Sequence, residues 1–342
     1  MKLPSLEEIV NKQKSDASIY KVSICLTVYN KEKYLKQSLD SLLSQRTNFE
    51  YQIVAGDDCS KDSSREILKE YEAKYPNRIK LVFHENNKGV NENRNILFKS
   101  CDAPYLAICD ADDYWIDENA LQKKVDFLDS HPMYIGYTSS TKFLRGDELS
   151  EYTDFDQRGL ICKDRGIDEI KFPDYTLDDA LHNKYPGQIG GYLYRNIFKY
   201  MSDEAFKVYT SYALDEHGKL PIVAGLIGPI YRQDNDPLNV YRYTEGSLDR
   251  TKENQNQCKS LWDSHLLYIK MVEDLSDGKY KMNLDEQLKV LAVNSFMTAF
   301  KNTLKGKGKD DRAQFSYIKN NGALSKKDIS EAIKRHIVEK LK

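Results

Sequence analysis

Residues Tyr105–Trp115 read YLAICDADDYW. Five hydrophobic residues run into Asp110, Asp112 and Asp113. A short apolar run that stops at a turn predicts a buried β-strand. Asp110 and Asp112 are two apart, so in an extended segment both side chains point the same way. Two carboxylates can then face one ion or one ligand.

The same design recurs upstream. Val22–Val28 runs into Tyr29-Asn30, and Tyr51–Ala55 runs into Gly56-Asp57-Asp58. Between them Asn30 can cap a helix on which Leu35, Leu39, Leu42 and Leu43 recur at helical spacing. Ser60 or Asp62 can cap the next helix, carrying Ile67, Leu68, Tyr71 and Tyr75. Ile79–Phe83 is a third strand, Asn93–Ser100 a helix, and Leu121, Val125 and Leu128 mark another helix before a strand at Tyr134–Ser139. Strand–helix alternation with short loops predicts βαβ units and a mostly parallel sheet. In such a sheet ligands bind beyond the carboxyl ends of the strands. Asp57, Asp58, Asp110, Asp112 and Asp113 would then share one crevice. Five carboxylates repel one another unless cations or hydrogen-bond donors offset them, which motivates a divalent metal. Oxygen ligands suit Mg²⁺ or Mn²⁺.

The chain of 342 residues has room for one large domain, or one domain and an appendage. With 40% hydrophobic residues it can build a core, so a disordered chain is excluded. The net charge of −2 disfavours bulk attraction to nucleic acid. That total hides an asymmetry. Residues 301–342 carry 12 Lys/Arg against 5 Asp/Glu, a surplus of seven positive charges that leaves −9 for the rest. No apolar run reaches the roughly 20 residues of a membrane-spanning helix, and Met1–Lys14 is too charged for a signal peptide. The six cysteines include no CxxC pair, which fits reduced, buried thiols in a cytosolic protein.

Four segments in order carry a resemblance: Val22–Asn30 (VSICLTVYN), Ile53–Asp62 (IVAGDDCSKD), Gly89–Asn95 (GVNENRN) and Tyr105–Trp115. Together they resemble the family-2 glycosyltransferases, inverting enzymes of the GT-A fold. The likeness is good over residues 20–140 and looser over 185–250. It implies an α/β, Rossmann-like catalytic domain over residues 1–254, with a nucleotide-sugar half at about 20–140 and an acceptor half at about 141–254. A C-terminal helical extension would follow over 255–342.

The resemblance also implies roles. Thr27 and Tyr29 would line the nucleotide pocket, with Tyr29 beside the base. Asp58 would accept a hydrogen bond from a uracil-type imide, and Asp57 would shape that turn. Arg94 would approach the base or the phosphates. Asp110 would contact the ribose or metal-bound water. Asp112 would hold Mn²⁺ or Mg²⁺ against the diphosphate, and Asp113 would either add to the metal site or brace the turn. Cys59 stands where the family often has Gly. Asp215, and after it Glu216, would be the general base that deprotonates the acceptor hydroxyl, although an acid at a helix start is also favoured by the helix dipole. Asp178 and Asp179 compete without the motif's context. Arg242 would neighbour the phosphates. Many members have His where Thr244 stands; either Asp112, phosphate and water would carry the metal, or the alignment is shifted there. The six histidines form no ligand-spaced cluster.

Residues 145–185 read as an acidic, loop-rich insertion, and Leu220–Val240 as strands and turns. Gly187–Gly191 can form the floor of an acceptor cleft or an ordinary hairpin turn. Leu284–Leu304 carries an apolar stripe, and a last helix is expected around Lys326–Leu341. The basic end can be the solvated face of a small helical bundle or a foothold on an anionic membrane on the cytoplasmic side, and the Leu284–Leu304 stripe can join a homo-oligomer. The expected partners are a nucleotide-sugar donor, UDP-sugar first, and a glycan or lipid-linked acceptor of a surface polysaccharide. The rival readings are a nucleotidyltransferase and a non-catalytic sugar-nucleotide-binding module. The loop Tyr29-Asn30-Lys31-Glu32 lacks the glycines a triphosphate loop needs.

Overall fold

Every residue of β1 (Val22–Val28) and of β2 (Tyr51–Asp57) is buried. Strands covered on both faces read as continuous apolar runs, which is why the sequence located them. The computed structural model describes residues 3–154, 174–181, 187–212, 214, 216–234, 236–244 and 267–280. The chain divides into two compact units, Met1–Glu245 and Gly246–Lys342.

In the first unit β1, β2, β3 (Ile79–Phe83) and β4 (Tyr105–Asp110) pair in parallel, in the order β3-β2-β1-β4. Helices α2 (Leu35–Leu43), α3 (Ser64–Lys74), α4 (Val90–Ser100) and α5 (Ala120–Ser130) fill the connections. Leu35, Leu39 and Leu42 of α2, Ile67 and Leu68 of α3, and Leu121, Val125 and Leu128 of α5 join one core with the strands. An unexpected helix, α1 (Leu6–Lys14), precedes them. Ser5 and Glu8 close a reciprocal capping box at its start.

The parallel pattern ends at β4. The chain next forms β5 (Tyr114–Trp115), β6 (Gly136–Ser139), β7 (Thr141–Arg145), β8 (Glu148–Thr153), β9 (Asp174–Tyr175), β10 (Tyr192–Arg195), β11 (Ile230–Gln233) and β12 (Asn239–Tyr243). β10 inserts antiparallel between β4 and β6, completing eight strands in the order β3-β2-β1-β4-β10-β6-β11-β9. A second sheet, β5-β12-β7-β8, was not expected. The acidic turn after β4 leads directly into β5, so this turn links the two sheets.

Leu220–Gly225 is helical, within Glu216–Gly225, where strands and turns were expected. Leu220, Ile222, Val223 and Ala224 are all buried, and an apolar run without alternation does not distinguish strand from helix. The expected loop-rich segment contains β8, β9 and the helix Leu177–Leu181. Gly187–Gly191 is no hairpin: Ile189–Gly191 makes one 3-10 turn into β10. Cys25, Cys101 and Cys109 are free and buried, and Cys59 is free and half-buried. Among the described residues no helix is long and apolar enough to cross a membrane. In the second unit, Ile269, Met271, Val272 and Leu275 are buried. The Leu284–Leu304 stripe and the last expected helix lie outside the described residues.

Candidate functional site

β1 lies between β2 and β4, and the register levels their ends. Thr27 stands opposite Gly56 on one side and Asp110 on the other. The crevice therefore opens where the chain reverses its winding direction, beside β1 and β4.

Asp110 is its centre. Its Oδ1 accepts from Arg94 Nη2 at 2.6 Å and from the Thr27 hydroxyl. Arg94 is 2% exposed, whereas the Asp110 side chain keeps 24% of its surface open. The pair therefore joins buried α4 to the crevice wall. Tyr29, at the end of the same strand, is 44% exposed and free to meet a ligand.

Asp57 and Asp58 face the protein. Asp57 Oδ2 accepts from Arg65 Nε and Nη2 at 2.8 and 2.7 Å. Asp58 Oδ1 and Oδ2 accept from the backbone N–H groups of Lys88 and Gly89, at 2.7 and 2.9 Å. Gly89 has φ 83°, a left-handed conformation open to glycine, and immediately precedes α4. Asp58 thus fixes the start of the helix that carries Arg94. Cys59 has φ 62°, in the region that disfavours side chains and favours glycine. Gly56 is forced in another way: a Cβ there would lie 2.4 Å from Asn93 Oδ1.

The second sheet closes the other side of the acidic turn. Asp112 Oδ2 meets Lys31 Nζ at 2.5 Å and accepts from Thr244 Oγ1 at 3.1 Å. Asp113 is 3% exposed, and its Oδ1 accepts from the backbone N–H of Arg242 at 2.8 Å. Burial, reinforced by Asp112 and Asp110, pushes the Asp113 carboxyl well above the usual carboxylate range. Its burial and its bond to the Arg242 N–H suit Asp113 to bracing the turn. Arg242 Nε donates to Asp112 O at 2.9 Å, Nη2 donates to Gln37 Oε1, and the guanidinium lies over the Tyr34 and Tyr114 rings. Arg242 is a strut of the turn, with its Nε and Nη2 directed at protein.

The residues fit a divalent ion in a limited way. Asp110 and Asp112 offer hard oxygen donors at the crevice, 24% and 16% exposed. Among the described residues no group of three His, Cys, Asp or Glu is placed to hold an ion. A metal here would take its remaining ligands from phosphate and water, as Mg²⁺ commonly does. Asp215 lies outside the described residues, and so does the side chain of Glu216. Asp179 Oδ2 accepts from the Thr176 N–H and hydroxyl, both at 2.8 Å, which gives it a helix-capping role. Among the histidines, His84 bonds Asn93 at 2.9 Å and His131 stacks on Phe127. Sequence reading missed Lys31, Gln37 and Arg65. Lys31 alone carried a signal, as a cation in the loop that follows β1.

Residues 23–192 match the model for Glycosyl transferase family 2. The chain carries a family-2 glycosyltransferase domain. The matched span includes Thr27, Tyr29, Asp57, Asp58, Arg94 and Asp110–Asp113, and ends before Asp215 and Arg242. The chain is 38% identical over 111 residues to an uncharacterized protein of Mycobacterium tuberculosis, covering 32% of each chain. It is 34% identical over 134 residues to the minor teichoic acid biosynthesis protein GgaB of Bacillus subtilis, covering 39% of this chain and 15% of that one. It is 38% identical over 108 residues to the poly(ribitol-phosphate) beta-glucosyltransferase of Bacillus spizizenii, covering 31% and 17%. The aligned segment thus spans about a third or less of these relatives. Among solved structures, residues 1–349 of Staphylococcus aureus TarS, in complex with UDP-GlcNAc, superpose with a TM-score of 0.58 at 18% identity, covering 90% of this chain and 82% of that one. At that identity the family-2 domain shares the fold with TarS.

Proposed function

We propose that this chain is an inverting glycosyltransferase. It moves a sugar from a nucleoside-diphosphate sugar, a UDP-sugar first, to a hydroxyl of a glycan or lipid-linked acceptor in surface polysaccharide synthesis. The observation that carries this reading is the level meeting of Thr27, Asp110 and Arg94 at the ends of β1 and β4. The names of the teichoic acid relatives support the polysaccharide class. The UDP-GlcNAc held by TarS supports the donor class.

In this reading exposed Tyr29 receives the base. Asp58 sets the loop that positions Arg94, and its carboxylate retains acceptor capacity for an imide N–H. Asp110 meets the ribose, and Arg94 holds that carboxylate in place. Asp112, with Asp110, would hold Mn²⁺ or Mg²⁺. Such an ion supplies Lewis-acid stabilisation of charge on the leaving diphosphate. Asp113 and Arg242 keep the turn rigid. Asp215, with Glu216 second, takes the proton from the acceptor hydroxyl as it attacks the opposite face. One in-line displacement inverts the sugar carbon and needs no covalent nucleophile. A nucleotide-sugar donor assigns the reaction to the cytoplasm, at the membrane face for a lipid-linked acceptor.

A thermal-shift panel of UDP-, dTDP- and GDP-sugars, with and without Mn²⁺, tests the reading. Bound ligand raises stability by mass action. A UDP-sugar should raise Tm most, and a panel without any shift would overturn the assignment.

A further inference from the structure

Lys31 is firmly mounted at the edge of the crevice. Its backbone N–H donates to Ser64 Oγ at 2.8 Å. Its carbonyl accepts from the N–H groups of Tyr34 and Leu35, both at 2.9 Å, and so starts α2. Asn30 before it has φ 52° and is held from both sides, by Ser60 Oγ at 2.9 Å and by the Lys61 N–H at 2.8 Å. From this fixed base the side chain crosses from the β1 loop to the β4 turn, where Nζ lies 2.5 Å from Asp112 Oδ2. Both side chains are largely shielded, at 25% and 16% exposure. Screening by water is therefore reduced and the attraction is strong.

Thr244 shares that oxygen, and the Asp112 carbonyl is held by Arg242. Asp112 is thus neutralised and oriented before any ligand arrives. A divalent ion approaching the carboxylate would meet an ammonium already there. Two cations on one carboxylate repel, so the ammonium opposes a divalent ion at Asp112. Lysine suits the exchange, because its ammonium is a compact charge on a flexible stem with rotatable donors.

We propose that Lys31 is a tethered cation that occupies Asp112 in the ligand-free protein and competes with a divalent ion for it. This rests on reading the crevice as a nucleoside-diphosphate site, because the diphosphate is the acceptor to which the displaced ammonium can turn. Metal and diphosphate then bind as a pair, and Lys31 is a positioning residue for both.

The test is calorimetric titration of Mn²⁺ into wild type, Lys31→Met, Lys31→Arg and Asp112→Asn, first without nucleotide and then with UDP. Without nucleotide, Lys31→Met should bind Mn²⁺ about tenfold more tightly than wild type, a gain set by removal of one nearby charge. Lys31→Arg keeps the charge and should stay weak, and Lys31→Met combined with Asp112→Asn should lose the gain. Unchanged or weaker Mn²⁺ binding by Lys31→Met would overturn the proposal. If Lys31→Met does not fold, tight nucleotide-free Mn²⁺ binding by wild type or Lys31→Arg overturns it equally, and weak binding by both supports it. The UDP arm separates the two levels. UDP should tighten Mn²⁺ binding by wild type toward that of Lys31→Met. Failure of UDP to do so, with the nucleotide-free gain intact, refutes the diphosphate reading and leaves the competition at Asp112 standing.

Discussion

Arg94 of α4 and Asp110 at the tip of β4 form an ion pair of 2.6 Å across the crevice wall. The cation is buried and the carboxylate is partly open. Breaking a buried pair from one side strands the other charge. Asp110 keeps the Thr27 hydroxyl and some solvent, so Arg94→Met should cost about 1–3 kcal/mol, below the value for a fully buried pair. Urea unfolding reads that loss, and nucleotide titration should show weaker binding as Asp110 loses its orientation.

Gly56→Ala tests the packing behind this pair. The new methyl would lie 2.4 Å from Asn93 Oδ1 and 2.8 Å from Leu97 Cδ2. Overpacking of this kind costs about 1–3 kcal/mol. Because both neighbours belong to α4, the helix that bears Arg94 must shift. Lower Tm together with weaker nucleotide binding is expected, and a neutral result would show that α4 relaxes freely.

The two acidic roles should separate kinetically. Asp112→Ala should remove the metal dependence of nucleoside-diphosphate binding, read by titration with and without Mn²⁺. Asp215→Asn should leave donor binding intact and reduce transfer by at least about a hundredfold, the usual scale of a general base. Transfer that persists in Asp215→Asn but fails in Glu216→Gln assigns the base to Glu216.

Lys124 supplies a pH prediction independent of the crevice. It is fully buried, its Nζ has no hydrogen-bond partner among the described residues, and it lies over the Trp115 ring at 5.0 Å. Burial lowers its pKa from 10.5 to about 7. Between those values the unfolded chain binds more protons than the folded one, so stability should rise with pH from about 7 toward 10.5. Below about 7 the whole cost of burying the ammonium is present. Lys124→Met should stabilise the protein at pH 7, by up to a few kcal/mol, and should flatten the rise. Chemical denaturation at pH 7 and pH 9.5 checks both.

The parallel half of the sheet was legible because β1, β2 and β4 are buried on both faces and read as apolar runs ending in polar residues. Helices α2, α3 and α5 were legible from their apolar stripes. α1 was missed, although Ser5 and Glu8 stand three apart at its start, because six of its nine residues are charged or polar and Ile9 alone is buried. A helix start was expected at the acidic pair Asp215-Glu216 and the helix Glu216–Gly225 begins there, but its continuation through Pro221 was not legible, because an apolar run without alternation reads equally as a strand. β10 gave no sign of its direction, since a strand's sequence does not encode whether its neighbour is parallel.

Which carboxylates stand at strand ends follows from the amino-acid order alone, because burial and turn chemistry are local and leave a pattern in the chain. That order also shows that their charge needs an answer. The answer itself lies in the packing of the fold. Arg94 faces Asp110 from 16 residues away, Lys31 faces Asp112 from 81, and Arg242 and Thr244 reach Asp113 and Asp112 from 129 and 132. The packing also distinguishes inward-facing Asp57, Asp58 and Asp113 from the crevice pair Asp110 and Asp112. Burial and ion pairing at that range depend on how helices and a second sheet pack, and no local spacing records it.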